Sequence, residues 1–130
     1  MPTTESQKVV VYVEDEAELV DLLRLILKEE RVILKHSLNG REGLELIRQV
    51  KPDLVILDLM LPGLGGWEIF EIMQEDESLK NIPVVVITVR TEGREGVWPQ
   101  VQQLAGYLVK PFAIQELREV IHKALVAPSD

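Results

Sequence analysis

Glu14, Asp15, Asp58, Thr88 and Lys110 are the side chains of this sequence whose types and placement could do chemistry together. Each closes a short run rich in β-branched residues: Glu14 and Asp15 after 8–13, Asp58 after 53–57, Thr88 after 82–87 and Lys110 after 106–109. Taken singly, each has an ordinary explanation: Asp15 caps a helix, Asp58 forms an Asx-turn, Thr88 ends a strand, and Glu14 and Lys110 are solvated. Four such endings on one sheet edge change the balance. Three carboxylates in one crevice repel, by about 4 kcal/mol for two unit charges 4 Å apart at an effective dielectric near 20. They therefore call for a cation, and a few hard oxygen ligands suit Mg²⁺ or Mn²⁺ better than zinc. With a cation in place, Asp58 can attack a phosphoryl group to form an aspartyl phosphate. Lys110 and the cation then neutralise the equatorial oxygens, and the Thr88 hydroxyl meets one of them.

The elements that must position these groups follow from hydrophobic periodicity. Residues 8–13 and 53–57 read as strands buried on both faces, the second bounded by Pro52 and the Pro62-Gly63 turn. Residues 32–34 form a short second strand, 82–87 a fourth and 106–109 a fifth. Between them lie amphipathic helices with core faces Leu19, Leu22, Leu23, Ile26 and Leu27; Leu44, Ile47 and Val50; and Ile69, Phe70 and Met73. A last helix carries Ile114, Leu117, Val120, Ile121, Ala124 and Leu125. Residues 74–81 read as a polar loop. The segment 89–103 holds Gly93, Gly96 and Pro99 where a helix is expected, so that helix should be short, late-starting or distorted. Alternating strands and helices predict an α/β fold: a flavodoxin-like, doubly wound, five-stranded parallel sheet with helices on both faces. In the strand order 2-1-3-4-5, the first and third strands are neighbours at the topological switch point, and Glu14, Asp15 and Asp58 face one another across it.

Composition narrows the function. The chain has 130 residues, 46% hydrophobic, with no cysteine and a formal net charge of -8. That suits one domain, here 8–126, with a flexible lead over 1–7 and a tail over 127–130. It excludes a disulfide framework and a thiolate nucleophile, and no apolar run could span a bilayer. The polar start carries no signal-peptide core, so a cytoplasmic location is expected. An acidic balance without a basic cluster argues against direct nucleic-acid binding.

The motifs Val11-Tyr12-Val13-Glu14-Asp15-Glu16, Leu57-Asp58-Leu59-Met60-Leu61-Pro62-Gly63, Val86-Ile87-Thr88 and Tyr107-Leu108-Val109-Lys110-Pro111-Phe112 stand in order along the chain. On them the sequence resembles the receiver domain of two-component response regulators, from about residue 8 to 125. The resemblance implies that Asp58 accepts phosphate from a histidine kinase or phosphotransfer protein. Mg²⁺ would be held by Asp15, Asp58 and the Met60 carbonyl, and by Glu14 through water. It further implies that Thr88 and Tyr107 form a switch pair and that the Lys110–Pro111 bond is cis. Output is expected either through docking to a downstream protein, with room for a homodimer, or through a longer regulator of which this chain is the front piece. Such a chain assists its own phosphorylation and dephosphorylation, with no separate substrate.

Some positions depart from the family's pattern. Glu14 replaces a shorter aspartate, Val89 should crowd access to Asp58, and Gly65 should loosen the loop after it. The Gly93 to Pro99 irregularity bears on dimerisation. Trp67 and Trp98 read as core or partly exposed aromatics, and His36 and His122 as isolated surface residues. A phosphohydrolase would want an acid where Met60 stands, and a flavin module would want a Ser/Thr/Gly-rich loop where Glu14-Asp15-Glu16 would repel phosphate. A degenerate receiver serving as a phosphorylation-independent docking module is the alternative.

Overall fold

A computed structural model describes residues 7–28, 30–59, 61, 63–89 and 104–126. Among the described residues five strands and four helices follow one another: β1 (Lys8–Val13), α1 (Ala17–Lys28), β2 (Val32–Ser37), α2 (Gly40–Val50), β3 (Leu54–Asp58), α3 (Gly66–Gln74), β4 (Val84–Val89), β5 (Gly106–Lys110) and α4 (Ile114–Val126). The strands form one parallel sheet in the order β2-β1-β3-β4-β5, as the alternation predicts. β1 and β3 are neighbours, with Val13 opposite Leu57. The next residues along each strand are Glu14 and Asp58.

Strand alternation divides the core in two. Val10, Tyr12, Leu54, Ile56, Val85 and Ile87 pack on one face against Val20, Leu23 and Leu27 of α1 and Leu117, Ile121 and Leu125 of α4. Val11, Val13, Val55, Leu57, Val84 and Val86 pack on the other against Leu44 and Ile47 of α2 and Ile69, Phe70 and Met73 of α3. Successive residues point to opposite faces, so every central strand must be apolar throughout. All five residues of β3 are buried. Each fully buried aliphatic side chain contributes about 1.5–3 kcal/mol, which holds the sheet edge still beneath the polar side chains.

Local signals fix the helices. Asn39 caps α2, its side chain accepting from the Glu42 N–H at 2.9 Å, and Lys51 ends the helix in the left-handed region at φ 49°. At α3 the Glu68 carboxylate reaches back to the Gly65 N–H at 2.9 Å, so the glycine expected to loosen the loop is tied to the helix start. Gly40 lets the chain pass close to the Leu64 carbonyl, which a Cβ there would overlap.

The structure corrects several expectations. β2 continues to Ser37, because pairing with β1 from Lys8 opposite Val32 to Val13 opposite Ser37 carries polar residues that periodicity alone leaves out. β4 starts at Val84 rather than at residue 82. The stretch read as a polar loop after α3 contains Leu79, which is fully buried in the second core. His36 is half-buried rather than a surface residue, and its Nε2 is buried without a hydrogen-bond partner. His122 is exposed, with Nδ1 3.6 Å from a Glu30 carboxylate oxygen. Trp67 is half-buried, its ring 5.4 Å from that of Phe70. The helix expected within 89–103, including Gly93, Gly96, Trp98 and Pro99, lies outside the described residues, as do the lead over 1–6 and the tail over 127–130.

Candidate functional site

The carboxyl edge of the sheet gathers the predicted residues. Parallel strands all end on the same edge, and the register sets Asp58 opposite Ile87, one residue before Thr88, and Thr88 opposite Val109, one residue before Lys110. Glu14, Asp58 and Thr88 are buried: among the described polar side chains only Ser37 joins them.

Glu14, Asp15 and Asp58 each offer a carboxylate oxygen within 4.8 Å of the other two. Three hard oxygen donors at that spacing, with Asp15 exposed to water, fit Mg²⁺ or Mn²⁺. Asp15 does not cap α1. That position falls to Glu16, whose carbonyl accepts from Leu19 and Val20 N–H groups, leaving the Asp15 carboxylate to the crevice. Met60, expected to supply a carbonyl, lies outside the described residues, as does the side chain of Val89.

Lys110 joins the cluster from the far strand. Its Nζ donates to Asp58 Oδ2 at 3.0 Å and to Glu16 Oε1 at 3.2 Å, and lies 3.6 Å from Glu14 Oε2. Burial disfavours its charge, but the bonds to Asp58, Glu14 and Glu16 outweigh this and push its pKa above the ordinary lysine value. The ammonium is therefore fixed as a cation facing Asp58. The Lys110–Pro111 bond is cis, as the resemblance implies.

Glu14 is fully buried. Burial raises its pKa to about 7, with the neighbouring Asp58 adding to the rise and the hydrogen bond from Tyr12 and the Lys110 charge opposing it. Its Oε1 accepts from the Tyr12 hydroxyl at 2.8 Å and its Oε2 from the Glu16 N–H at 3.1 Å. Burial and then the Glu14 carboxylate hold the Tyr12 phenol protonated far above its usual range, so it acts as a donor. Sequence reasoning assigned no role to Tyr12 or Glu16. The signal for Tyr12 was present: two residues apart on a strand, positions 12 and 14 share a face.

Tyr107 stands on β5 opposite Val86 and is 39% exposed, three residues before Lys110. Thr88 is 2% exposed at the end of β4. The arrangement can thus bind a divalent cation, hold one carboxylate beside an ammonium, and present a buried hydroxyl at the same edge. Among the described residues no helix is long and apolar enough to cross a membrane.

Known proteins resemble this chain in sequence and fold. The family model for the response regulator receiver domain matches residues 10–122. Protein PilH of Pseudomonas aeruginosa is 30% identical over 118 residues, a stretch covering 91% of this chain and 97% of that protein. DNA-binding response regulator MtrA of Mycobacterium tuberculosis is 32% identical over 114 residues, 88% of this chain but 48% of its own length, so the chain spans about half of that relative. In fold, the chain superimposes on chemotaxis response regulator CheY4 of Vibrio cholerae with a TM-score of 0.82 at 22% identity, covering 92% of this chain and 100% of that one. With the acidic crevice and its lysine on the same sheet edge, the family match places the chain among the receiver domains of two-component response regulators.

Proposed function

We propose that this chain is a phosphoacceptor switch, with the domain spanning 8–126 and Asp58 as the residue that takes the phosphoryl group from a histidine kinase or phosphotransfer protein. The observation that carries this reading is the Asp58 carboxylate, 2% exposed, 3.0 Å from the Lys110 ammonium and grouped with Glu14 and Asp15. A carboxylate buried among like charges and facing one cation is placed for nucleophilic attack rather than for stability.

When bound, Mg²⁺ held by Glu14, Asp15, Asp58 and the Met60 carbonyl would neutralise charge developing on the phosphoryl oxygens. The Lys110 ammonium, 3.0 Å from Asp58 Oδ2, would hold the incoming group, and the Thr88 hydroxyl would donate to a phosphoryl oxygen. In the resulting aspartyl phosphate, roughly -1.5 to -2 of charge sits where the carboxylate carried one. Thr88 and Lys110 are drawn toward it, Tyr107 turns inward from its exposed position, and the surface beside β5 changes for a docking partner. The -8 charge supports a protein partner over nucleic acid for this chain. No substrate other than its own phosphoryl group is involved.

Intact mass after incubation with acetyl phosphate tests the reading. A single phosphate adduct is expected that needs Mg²⁺ and is absent from Asp58→Ala. No adduct with any donor, together with no binding of a beryllofluoride mimic, overturns it in favour of a constitutive docking module.

A further inference from the structure

Glu14 brings one methylene more than an aspartate would, and with it one more torsion to fix, into a pocket where the chain leaves it no exposed surface. Its main chain is anchored by the Glu14 N–H donating to the Ser37 carbonyl at 3.0 Å. The far end is gripped from two sides, by the Tyr12 hydroxyl on Oε1 at 2.8 Å and the Glu16 N–H on Oε2 at 3.1 Å. Tyr12 is itself 1% exposed and packed in the core with Ile56, Val20 and Leu23, so its phenol cannot swing away to water. A buried tyrosine hydroxyl needs a partner, and here it uses the Glu14 carboxylate, which the sheet alternation puts on its own side.

We propose that Tyr12 is a positioning residue for the divalent-cation site: by holding Oε1, it keeps the Glu14 carboxylate in place beside Asp15 and Asp58. This rests on the metal-binding part of the function proposed above. The fold supplies the rigidity, since Tyr12 lies on a central strand paired on both sides, with His36 of β2 and with Ile56 of β3. Partners that orient a ligand in this way typically change metal affinity by about 10- to 100-fold when removed.

Calorimetric titration of Mg²⁺ into the wild-type chain, Tyr12→Phe, Glu14→Asp and the double variant tests this, with thermal unfolding of each recorded beside it. Phenylalanine keeps the ring and loses only the hydroxyl. Tyr12→Phe should weaken Mg²⁺ binding about tenfold while Glu14 is present. In the Glu14→Asp background, where the shorter carboxylate is drawn back from the phenol, the same change should weaken it less than about twofold, the signature of coupled residues. Tyr12→Met, which fills much of the same space without a hydroxyl, takes the place of Tyr12→Phe if that variant is too unstable to titrate, with the same loss expected. An unchanged affinity in Tyr12→Phe, or an equal loss in both backgrounds, overturns the inference and leaves the metal site standing. A wild-type chain that binds no Mg²⁺ at millimolar concentration overturns the metal site and the inference with it.

Discussion

Asp53 and Asp58 flank the same buried run of β3, and Lys8 and Lys110 open and close the first and last strands, yet the two ends of the sheet use these like residues in opposite ways. At the amino edge the polar groups bond to backbone. Asp53 Oδ2 accepts from the Val9 N–H at 2.8 Å while its own N–H donates to the Val9 carbonyl, and Lys8 Nζ donates to the Leu125 carbonyl at 3.0 Å, closing the end of α4. At the carboxyl edge they bond to one another. Lys110 faces three carboxylates, two of them buried, and Glu14 is held by a phenol. Opposite charges concentrated in a buried crevice cost stability and gain reactivity. The edge on which a residue falls, more than its type, decides whether it builds the fold or serves the chemistry.

The comparison breaks most visibly at the aspartates. Asp58→Ala should abolish phosphate uptake altogether, read by intact mass, with an unchanged circular dichroism spectrum. Asp53→Ala should leave uptake intact and cost about 1 kcal/mol in denaturant unfolding, the worth of one hydrogen bond. Uptake lost in Asp53→Ala would show that the edges are not separate. The lysines come next. Lys110→Met should slow adduct formation about 100-fold, as loss of one electrostatic stabiliser of a transition state does. Lys8→Met should leave the rate alone and lower stability by up to about 1 kcal/mol through the lost helix-end contact.

Acid sharpens the contrast further, by a smaller effect of opposite sign in crevice and sheet. In EDTA, Glu14 has a folded pKa near 7, raised above its ordinary 4.5, so between about pH 7 and 4.5 the folded chain binds more protons than the unfolded one. Its contribution therefore favours folding below 4.5 and is lost as pH rises through 7. His36 runs the other way. Burial first and then the Arg24 charge lower its pKa from 6.5, against Asp21. The unfolded chain takes up that proton first, so stability falls as pH drops through 6.5. From pH 8 to 5, the change in unfolding midpoint should thus be shifted downward in Glu14→Gln relative to wild type, and upward in His36→Gln. Parallel profiles for both variants and wild type would remove the distinction.

Much of this was legible in the chain itself. Apolar runs ending in acid, hydroxyl or lysine dictated the strand ends, and the parallel sheet that alternating strands and helices predict put those ends on one edge. Glu14, Asp15, Asp58, Thr88 and Lys110 were all readable for that reason. Tertiary partners hid the rest. Leu79 stands in a polar stretch and is buried only because the second core has room beside α3. The polar end of β2 is carried by pairing with β1, which no local pattern records. Asp15 and Glu16 are adjacent acids, and which of them caps α1 depends on where the helix starts, the least readable feature of a helix. Tyr12 looked like one more apolar strand residue; its role follows from the longer Glu14 carboxylate reaching back to it.

Backbone amide shifts on adding beryllofluoride with Mg²⁺ test the central claim most directly. The account predicts large changes at Glu14, Asp15, Asp58, Thr88 and Lys110, with Lys8, Val9 and Asp53 at the opposite edge nearly still, and none of these changes in Asp58→Ala. Absent shifts, or shifts centred on the amino edge, would contradict it.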